Sequence, residues 1–161
     1  MKPAKRGMQR AGLLAALAAL AALGVAYFAQ DVLQLVPCPL CLWERWPYRL
    51  VIALGIIAFV LPRGPARFLL VIAALAMFAG AGIALLHVGV EFHWWRSPLP
   101  ECNAFLTSGA ALPLHPAPPC DSPTYLISGL PVSMAAMDMI YALAFAIGLS
   151  AYVSRKPRRF K

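Results

Sequence analysis

Four long apolar stretches divide the chain. They run over about residues 11–28, 46–61, 68–90 and 130–153. Each is near the roughly 20 residues that an α-helix needs to cross the hydrocarbon core of a bilayer. The second and third stretches are joined by a short connection, whereas the segments of about 29–45 and 91–129 are longer. The pattern predicts four membrane-spanning helices in one all-α bundle, with a short first and a long second outer loop.

Composition agrees with a membrane protein. Of the 161 residues, 61% are hydrophobic and only 12% are charged, against about 25% charged in an average soluble domain. A soluble fold of this size could not bury so much apolar surface. With little chain outside the apolar stretches, residues 1–161 are predicted to form a single membrane domain.

Most lysines and arginines lie before helix 1, between helices 2 and 3, or after helix 4: Lys2, Lys5, Arg6, Arg10, Arg63, Arg67, Arg155, Lys156, Arg158, Arg159 and Lys161. Because basic residues concentrate on the cytoplasmic side of a membrane, both termini are predicted to be cytoplasmic and the loops 29–45 and 91–129 periplasmic. The net charge of +8 is then a sign of topology, and no nucleic-acid partner is expected.

The first apolar stretch also suits a secretory signal, since Ala26 to Ala29 loosely resembles a cleavage site. Its apolar run exceeds the about 7–15 residues of a signal core. We therefore interpret it as a membrane helix.

All four cysteines fall in the two predicted outer loops, Cys38 and Cys41 in the first and Cys102 and Cys120 in the second. An oxidising compartment favours disulfides. A bridge between the second two could simply stabilise the loop, by about 3 kcal/mol in the chain-entropy model. A Cys-x-x-Cys bridge closes almost no loop, and such a pair suits cycling between dithiol and disulfide.

Arg45 follows Cys41 by one helical turn, so that the two share a face if the segment is helical. A guanidinium there favours the reactive thiolate, although an ordinary interfacial arginine is the alternative. Pro47 suggests that the regular helix starts near Glu44.

The second loop is rich in proline, and so long a loop in a small protein is more often functional than decorative.

Other cofactor sites fit poorly. Zinc would require four ligands at finger-like spacing, so no metal is expected. Haem attachment is excluded at this motif because Leu42 stands where histidine is needed. Gly80 and Gly82 lie inside a predicted helix with no preceding strand, which excludes a dinucleotide fingerprint.

Asp138, inside helix 4, is a functional candidate by position without an assigned role.

The segment Pro37-Cys38-Pro39-Leu40-Cys41-Leu42-Trp43-Glu44-Arg45 lies at the junction of the first two of four helices. With Cys102 and Cys120 in the second outer loop, it resembles the DsbB family of the bacterial inner membrane, enzymes that generate disulfides at the expense of quinone. The resemblance spans nearly the whole chain. The segment from His87 to Glu91 also resembles the family's sequence at the end of helix 3.

The resemblance implies a relay with disulfides Cys38–Cys41 and Cys102–Cys120. A reduced DsbA-like thioredoxin-fold oxidase of the periplasm attacks the second disulfide at Cys102, and Cys120 then attacks Cys38. Cys41, as thiolate, passes the electrons to ubiquinone or menaquinone. Arg45 is expected beside the quinone ring, and His87 is a quinone or proton partner or else a structural residue.

Three alternatives remain open at this point. A vitamin K epoxide reductase-like protein shares a quinone-facing Cys-x-x-Cys, but there the pair is expected late in the bundle. A DsbB paralogue could serve one dedicated partner. A membrane scaffold with two inert disulfides would have no redox activity at all.

Overall fold

The computed structural model describes residues 3–102, 119–126, 129 and 131–155. Its elements in chain order are the helices Pro3–Asp31 (α1), Pro39–Val60 (α2), Arg63–Glu91 (α3) and Met134–Ser154 (α4). Within these described ranges the chain contains no strand. The predicted all-α bundle of four helices is thereby confirmed.

Three of these helices, α1, α3 and α4, are long and apolar enough to cross a membrane. The remaining helix, α2, is of similar length but carries Glu44, Arg45 and Arg49 in its first half. Charged groups are costly within the hydrocarbon region unless they are paired inside the protein. That α2 also crosses the membrane stays a prediction.

The helix α2 begins at Pro39, whereas the apolar pattern predicted a start near residue 46. Proline suits the first turn of a helix because its φ is already helical and its missing N–H would be unpaired there anyway. The helix also continues through Pro47, whose ring lies against Gly80 of α3. The first interhelical connection is therefore residues 32–38, shorter than the predicted 29–45.

The other helix ends also differ from the apolar runs. Both α1 and α3 extend into the flanking polar residues, since the backbone hydrogen bonds of a helix can continue beyond its apolar segment. In contrast, α4 starts at Met134, after the predicted residue 130, because Ser133 caps it by accepting a hydrogen bond from the Ala136 amide at 3.2 Å. Most of the predicted proline-rich loop, residues 103–118 and 127–128, and the basic segment 156–161 lie outside the described residues.

Neighbouring helices pack in chain order, α1 on α2, α2 on α3 and α3 on α4. Where α1 packs on α2, two glycines face each other. A Cβ atom added at Gly55 would lie 2.6 Å from the Gly12 carbonyl oxygen, and one added at Gly12 would lie 2.7 Å from the Gly55 oxygen. Small residues at such crossings let membrane helices approach closely.

We expect Gly55→Val to separate α1 from α2 and to lower the free energy of unfolding by about 1–3 kcal/mol, the usual cost of overpacking. Thermal unfolding of the purified protein in detergent measures the effect. The matched control is Gly82→Val in α3, because a Cβ at Gly82 meets no atom within 4 Å. Equal losses of stability in the two variants would contradict this description of the helix crossing.

Candidate functional site

The first cysteine pair lies at the amino-terminal end of α2. Cys38 is the N-cap residue, and its Sγ accepts a hydrogen bond from the Cys41 amide at 3.2 Å. The two sulfur atoms are 2.7 Å apart, and both cysteines are free thiols in this structure. The capping geometry places the first turn of α2 and its positive dipole end against Cys38 Sγ. The Cys38–Cys41 disulfide therefore stays a prediction.

The second pair is joined in a Cys102–Cys120 disulfide. Both of these cysteines are buried and pack in one apolar cluster with Cys38, Leu40 and Val90. The fold thus brings the two pairs to the same end of the bundle, one from the α1–α2 connection and one from the α3–α4 connection. An exchange of disulfides between them requires this proximity.

His87, on α3, lies between the first pair and an acidic side chain. Its Nε2 is 3.5 Å from Cys38 Sγ, and its Nδ1 is 2.8 Å from Glu44 Oε1. His87 is 3% and Glu44 7% exposed, so the contact is shielded from solvent. With the proton on Nδ1, the ring donates to the carboxylate and offers Nε2 to the thiol. The three side chains form a Cys–His–Glu series.

Arg45 is buried and contacts α1. Its guanidinium donates a hydrogen bond to Gln30 Oε1 at 2.8 Å and lies 4.9 Å from the centre of the Tyr27 ring. These contacts direct the positive charge towards the end of α1. Its predicted place beside a quinone stays a prediction, as does its predicted action on Cys41.

Asp138, which had no assigned role, pairs with α2. The Tyr48 hydroxyl donates a hydrogen bond to Asp138 Oδ1 at 2.6 Å. The other carboxylate oxygen, Oδ2, is buried and has no hydrogen-bond partner among the described residues. A buried polar atom without a partner costs free energy. Binding of a proton or a ligand at Oδ2 would remove this cost.

A cavity of about 220 Å³ connects these groups. Apolar residues of α1 and α4 form part of its wall, and Pro119, Ser122, Pro123 and Thr124, on either side of Cys120, form another part. Besides Ser122 and Thr124, its polar lining consists of Gln30, Cys38, Cys41, Glu44, Arg45, Tyr48, His87, Glu91 and Asp138. A cavity that is largely apolar with a few convergent polar groups is the usual form of a small-molecule site.

Sequence reasoning had selected the four cysteines, Arg45 and His87, but it gave Glu44 and Tyr48 no function. Glu44 was visible as an acid in the first turns of a predicted membrane helix, and such a residue is normally paired. Its partner could not be identified, because His87 is 43 positions away in the sequence.

The Cys38 thiol has the environment of a reactive cysteine. The hydrogen bond from the Cys41 thiol lowers the pKa of Cys38 below its usual value, and although burial opposes this, the Cys41 amide lowers the pKa further. Together with the Cys41 amide hydrogen bond at 3.2 Å, this favours a thiolate at Cys38, whereas the family resemblance had implied a thiolate at Cys41.

A pH series of alkylation tests this assignment. In reduced protein carrying Cys102→Ser and Cys120→Ser, iodoacetamide should label Cys38 first. Labelling of Cys38 should continue at pH values below about 8.5, the pKa of an ordinary thiol. The rate should fall once the pH drops through the lowered pKa, because only the thiolate reacts. Peptide mass spectrometry locates the label. Access alone would favour Cys41, which is less buried than Cys38, so first labelling of Cys41 would contradict the assignment.

Comparison with known proteins identifies one family. The family model described as "Disulfide bond formation protein DsbB" matches residues 8–152. No solved structure matches the chain.

Individual relatives bear the same name. "Disulfide bond formation protein B" of Sodalis glossinidius is 34% identical over 91 residues, covering 56% of this chain and 51% of the relative. The protein of that name from Herminiimonas arsenicoxydans is 36% identical over 78 residues, or 48% of this chain and 49% of the relative. That from Yersinia enterocolitica is 31% identical over 105 residues, or 65% and 58%. The matched part thus spans about half the length of these curated relatives.

Proposed function

Because the chain belongs to the DsbB family, we propose that it is a membrane thiol–disulfide oxidoreductase that reoxidises a periplasmic DsbA-like dithiol oxidase and passes the electrons to quinone. Its product is the disulfide of that oxidase, which then forms disulfides in other proteins. The observation that carries the proposal is the single buried cluster containing Cys38 and the Cys102–Cys120 disulfide.

The relay begins at the second pair. A partner thiolate attacks Cys102, the Cys102–Cys120 bond breaks, and a mixed disulfide forms. The second partner thiol then releases the partner in oxidised form and leaves both cysteines as thiols. Attack at Cys102 is supported by burial, since Cys102 is 8% and Cys120 only 1% exposed. Cys120, the less exposed of the two, is then left to attack the first pair.

The second exchange transfers two electrons from the second cysteine pair to the first. The Cys120 thiolate attacks Cys38 of an oxidised Cys38–Cys41 pair, forming a Cys38–Cys120 disulfide and releasing Cys41. Attack by Cys102 on Cys120 re-forms the Cys102–Cys120 disulfide and leaves Cys38 and Cys41 as dithiol. Each step exchanges one disulfide for another, so the number of disulfides is unchanged until electrons leave the protein.

The lining of the cavity beside the first pair supports quinone as the electron acceptor. The cavity has an apolar wall from α1 and α4, and both Cys38 and Cys41 open onto it. Arg45 lines it as a hydrogen-bond donor, and the carbonyl oxygens of a quinone ring accept hydrogen bonds from such a group. When bound, quinone supplies the two-electron acceptor that a Cys-x-x-Cys dithiol needs to return to the disulfide.

His87 is placed to manage the proton of Cys38. Its Nε2 faces Cys38 Sγ at 3.5 Å, so it can accept the thiol proton when the thiolate forms and hold it within the buried site. Glu44 is a positioning residue, because it holds the opposite ring nitrogen at 2.8 Å. A carboxylate in this position fixes the tautomer and the orientation of the ring.

The proposed location is the bacterial inner membrane, with both termini in the cytoplasm and both cysteine pairs in the periplasm. Three helices suited to crossing a membrane support the membrane location. The concentration of basic residues at the termini and between α2 and α3 supports the orientation. An oxidising periplasm also agrees with the disulfide chemistry.

A coupled assay tests the function. Purified protein in detergent is mixed with a reduced DsbA-type partner and a soluble ubiquinone analogue, and quinone absorbance and partner thiols are followed together. We expect the two to fall in parallel, and Cys102→Ser to stop the loss of partner thiols. If quinone and partner thiols stayed constant while all four cysteines remained oxidised, a scaffold with two inert disulfides would replace the proposal.

A further inference from the structure

The first cysteine pair and His87 together have the composition of a metal site. The sulfur atoms of Cys38 and Cys41 and a ring nitrogen of His87 all lie within 4.8 Å of one another. A Cys₂His set with one open position is a known zinc coordination sphere. Spacing in the sequence had argued against zinc because it offered only two neighbouring ligands, and the fold supplies the third from α3.

The surroundings of His87 also match a metal ligand. Histidines that bind metals ordinarily donate their other ring N–H to a carboxylate, which fixes the ring and raises its basicity. Here Glu44 Oε1 lies 2.8 Å from Nδ1, leaving Nε2 free to face Cys38 at 3.5 Å. This arrangement is present before any metal binds, so little reorganisation of the histidine is required.

The charge of the cavity favours a cation. Glu44, Glu91 and Asp138 line it, against the single arginine Arg45 among the described lining residues. The buried Oδ2 atom of Asp138 has no partner in the described part of the chain. A cation in the cavity would therefore meet an excess of carboxyl groups.

We propose that the reduced form of this protein binds a divalent cation of the zinc type through Cys38, Cys41 and His87. Tetrahedral coordination with Zn–S bonds of about 2.3 Å places two sulfurs roughly 3.8 Å apart, so the sulfurs, now at 2.7 Å, must separate by about 1 Å. Each thiol releases one proton on binding, and no electron moves. The disulfide form has no thiolate to offer, so the site exists only in the reduced state.

The consequence is a redox-dependent inhibition that rests on the proposed function. A metal held by both thiolates removes the nucleophile of Cys38 and prevents the first pair from returning to the disulfide. Zinc should thus arrest the enzyme after the first pair has been reduced. The binding itself requires neither quinone nor a partner protein, and it can be measured without either.

Cobalt binding tests the site directly. The full chain with Cys102→Ser and Cys120→Ser is reduced, freed of reductant without oxygen and titrated with Co²⁺. We expect one equivalent to produce thiolate-to-cobalt charge-transfer absorption and the visible bands of a tetrahedral centre, and Zn²⁺ to displace it. The same protein with an oxidised first pair should show neither signal. Equal binding by the oxidised form, or no cobalt signal in the reduced form, would overturn the proposal.

Three variants define the ligands. Glu44→Gln should weaken cobalt binding by about 10–100-fold, the usual effect of removing the group behind a metal-bound histidine, and His87→Gln should weaken it further. His93→Gln is the matched control, because the His93 side chain is 73% exposed and lies near Asp121. Unchanged affinity in His87→Gln would show a two-cysteine site and contradict the inference. Because this assay contains no quinone, its failure is distinct from failure of the coupled assay.

Discussion

Replacing Cys41 with serine is expected to reduce quinone consumption to the uncatalysed background. With a single sulfur in the first pair, Cys38 cannot close an intrachain disulfide with its neighbour, so the two electrons have no way out of the protein. The Cys102–Cys120 disulfide should still react once with reduced partner. We therefore expect one equivalent of partner to be oxidised in a burst, followed by no turnover.

Rapid mixing with quantitative thiol alkylation measures the burst, and absorbance measures the quinone. The matched control is Ala53→Ser, which adds a hydroxyl group on an exposed face of the same helix α2 and should leave both readings unchanged. Sustained quinone consumption by the Cys41 variant would show that electrons leave the protein by another route.

The second large effect concerns the buried pair of Glu44 and His87. Replacing His87 with leucine leaves the Glu44 carboxylate in a nearly solvent-free position without its hydrogen-bond partner. Leaving a buried charge without its partner typically costs about 3–5 kcal/mol. We expect the His87→Leu protein to lose stability by this amount and to lose redox activity as well.

The double variant Glu44→Leu with His87→Leu separates the two losses. Replacing both members of a buried pair with apolar residues is often neutral or stabilising, so its free energy of unfolding should return close to that of the unmodified protein. Activity should not return, because the group facing Cys38 is still missing. Unfolding in detergent and the coupled assay measure the two quantities. Recovery of activity along with stability would mean that His87 is only structural.

Much of the fold followed from the sequence because membrane helices have a strong and simple signal. Four apolar runs were sufficient to predict an all-α bundle, and the helices Arg63–Glu91 and Met134–Ser154 lie close to the predicted runs. The predicted start of α2 was wrong because it was taken from the apolar run, and hydrophobicity carries no information on how a helix is capped. Cys38 and Pro39 begin that helix through a hydrogen bond and a fixed φ, and neither contributes to an apolar average.

The candidate site could be predicted only in part from the sequence. Cysteine spacing distinguishes a redox pair from a structural bridge by loop length alone, a property that can be read from the sequence. The partners of His87 and Asp138 depend instead on how helices rotate against each other. Asp138 meets Tyr48 across 90 positions, and no local pattern encodes that distance. The proposed metal site was missed for the same reason, since its third ligand comes from a different helix.

The most direct test of the proposed electron relay is the electron balance of the protein alone. Fully reduced protein, with its four cysteines as thiols and no partner present, is mixed without oxygen with excess soluble ubiquinone analogue. We expect two equivalents of quinone to be reduced, one for each pair, and all four thiols to become the disulfides Cys38–Cys41 and Cys102–Cys120. Persistence of the four thiols with unchanged quinone absorbance would contradict it.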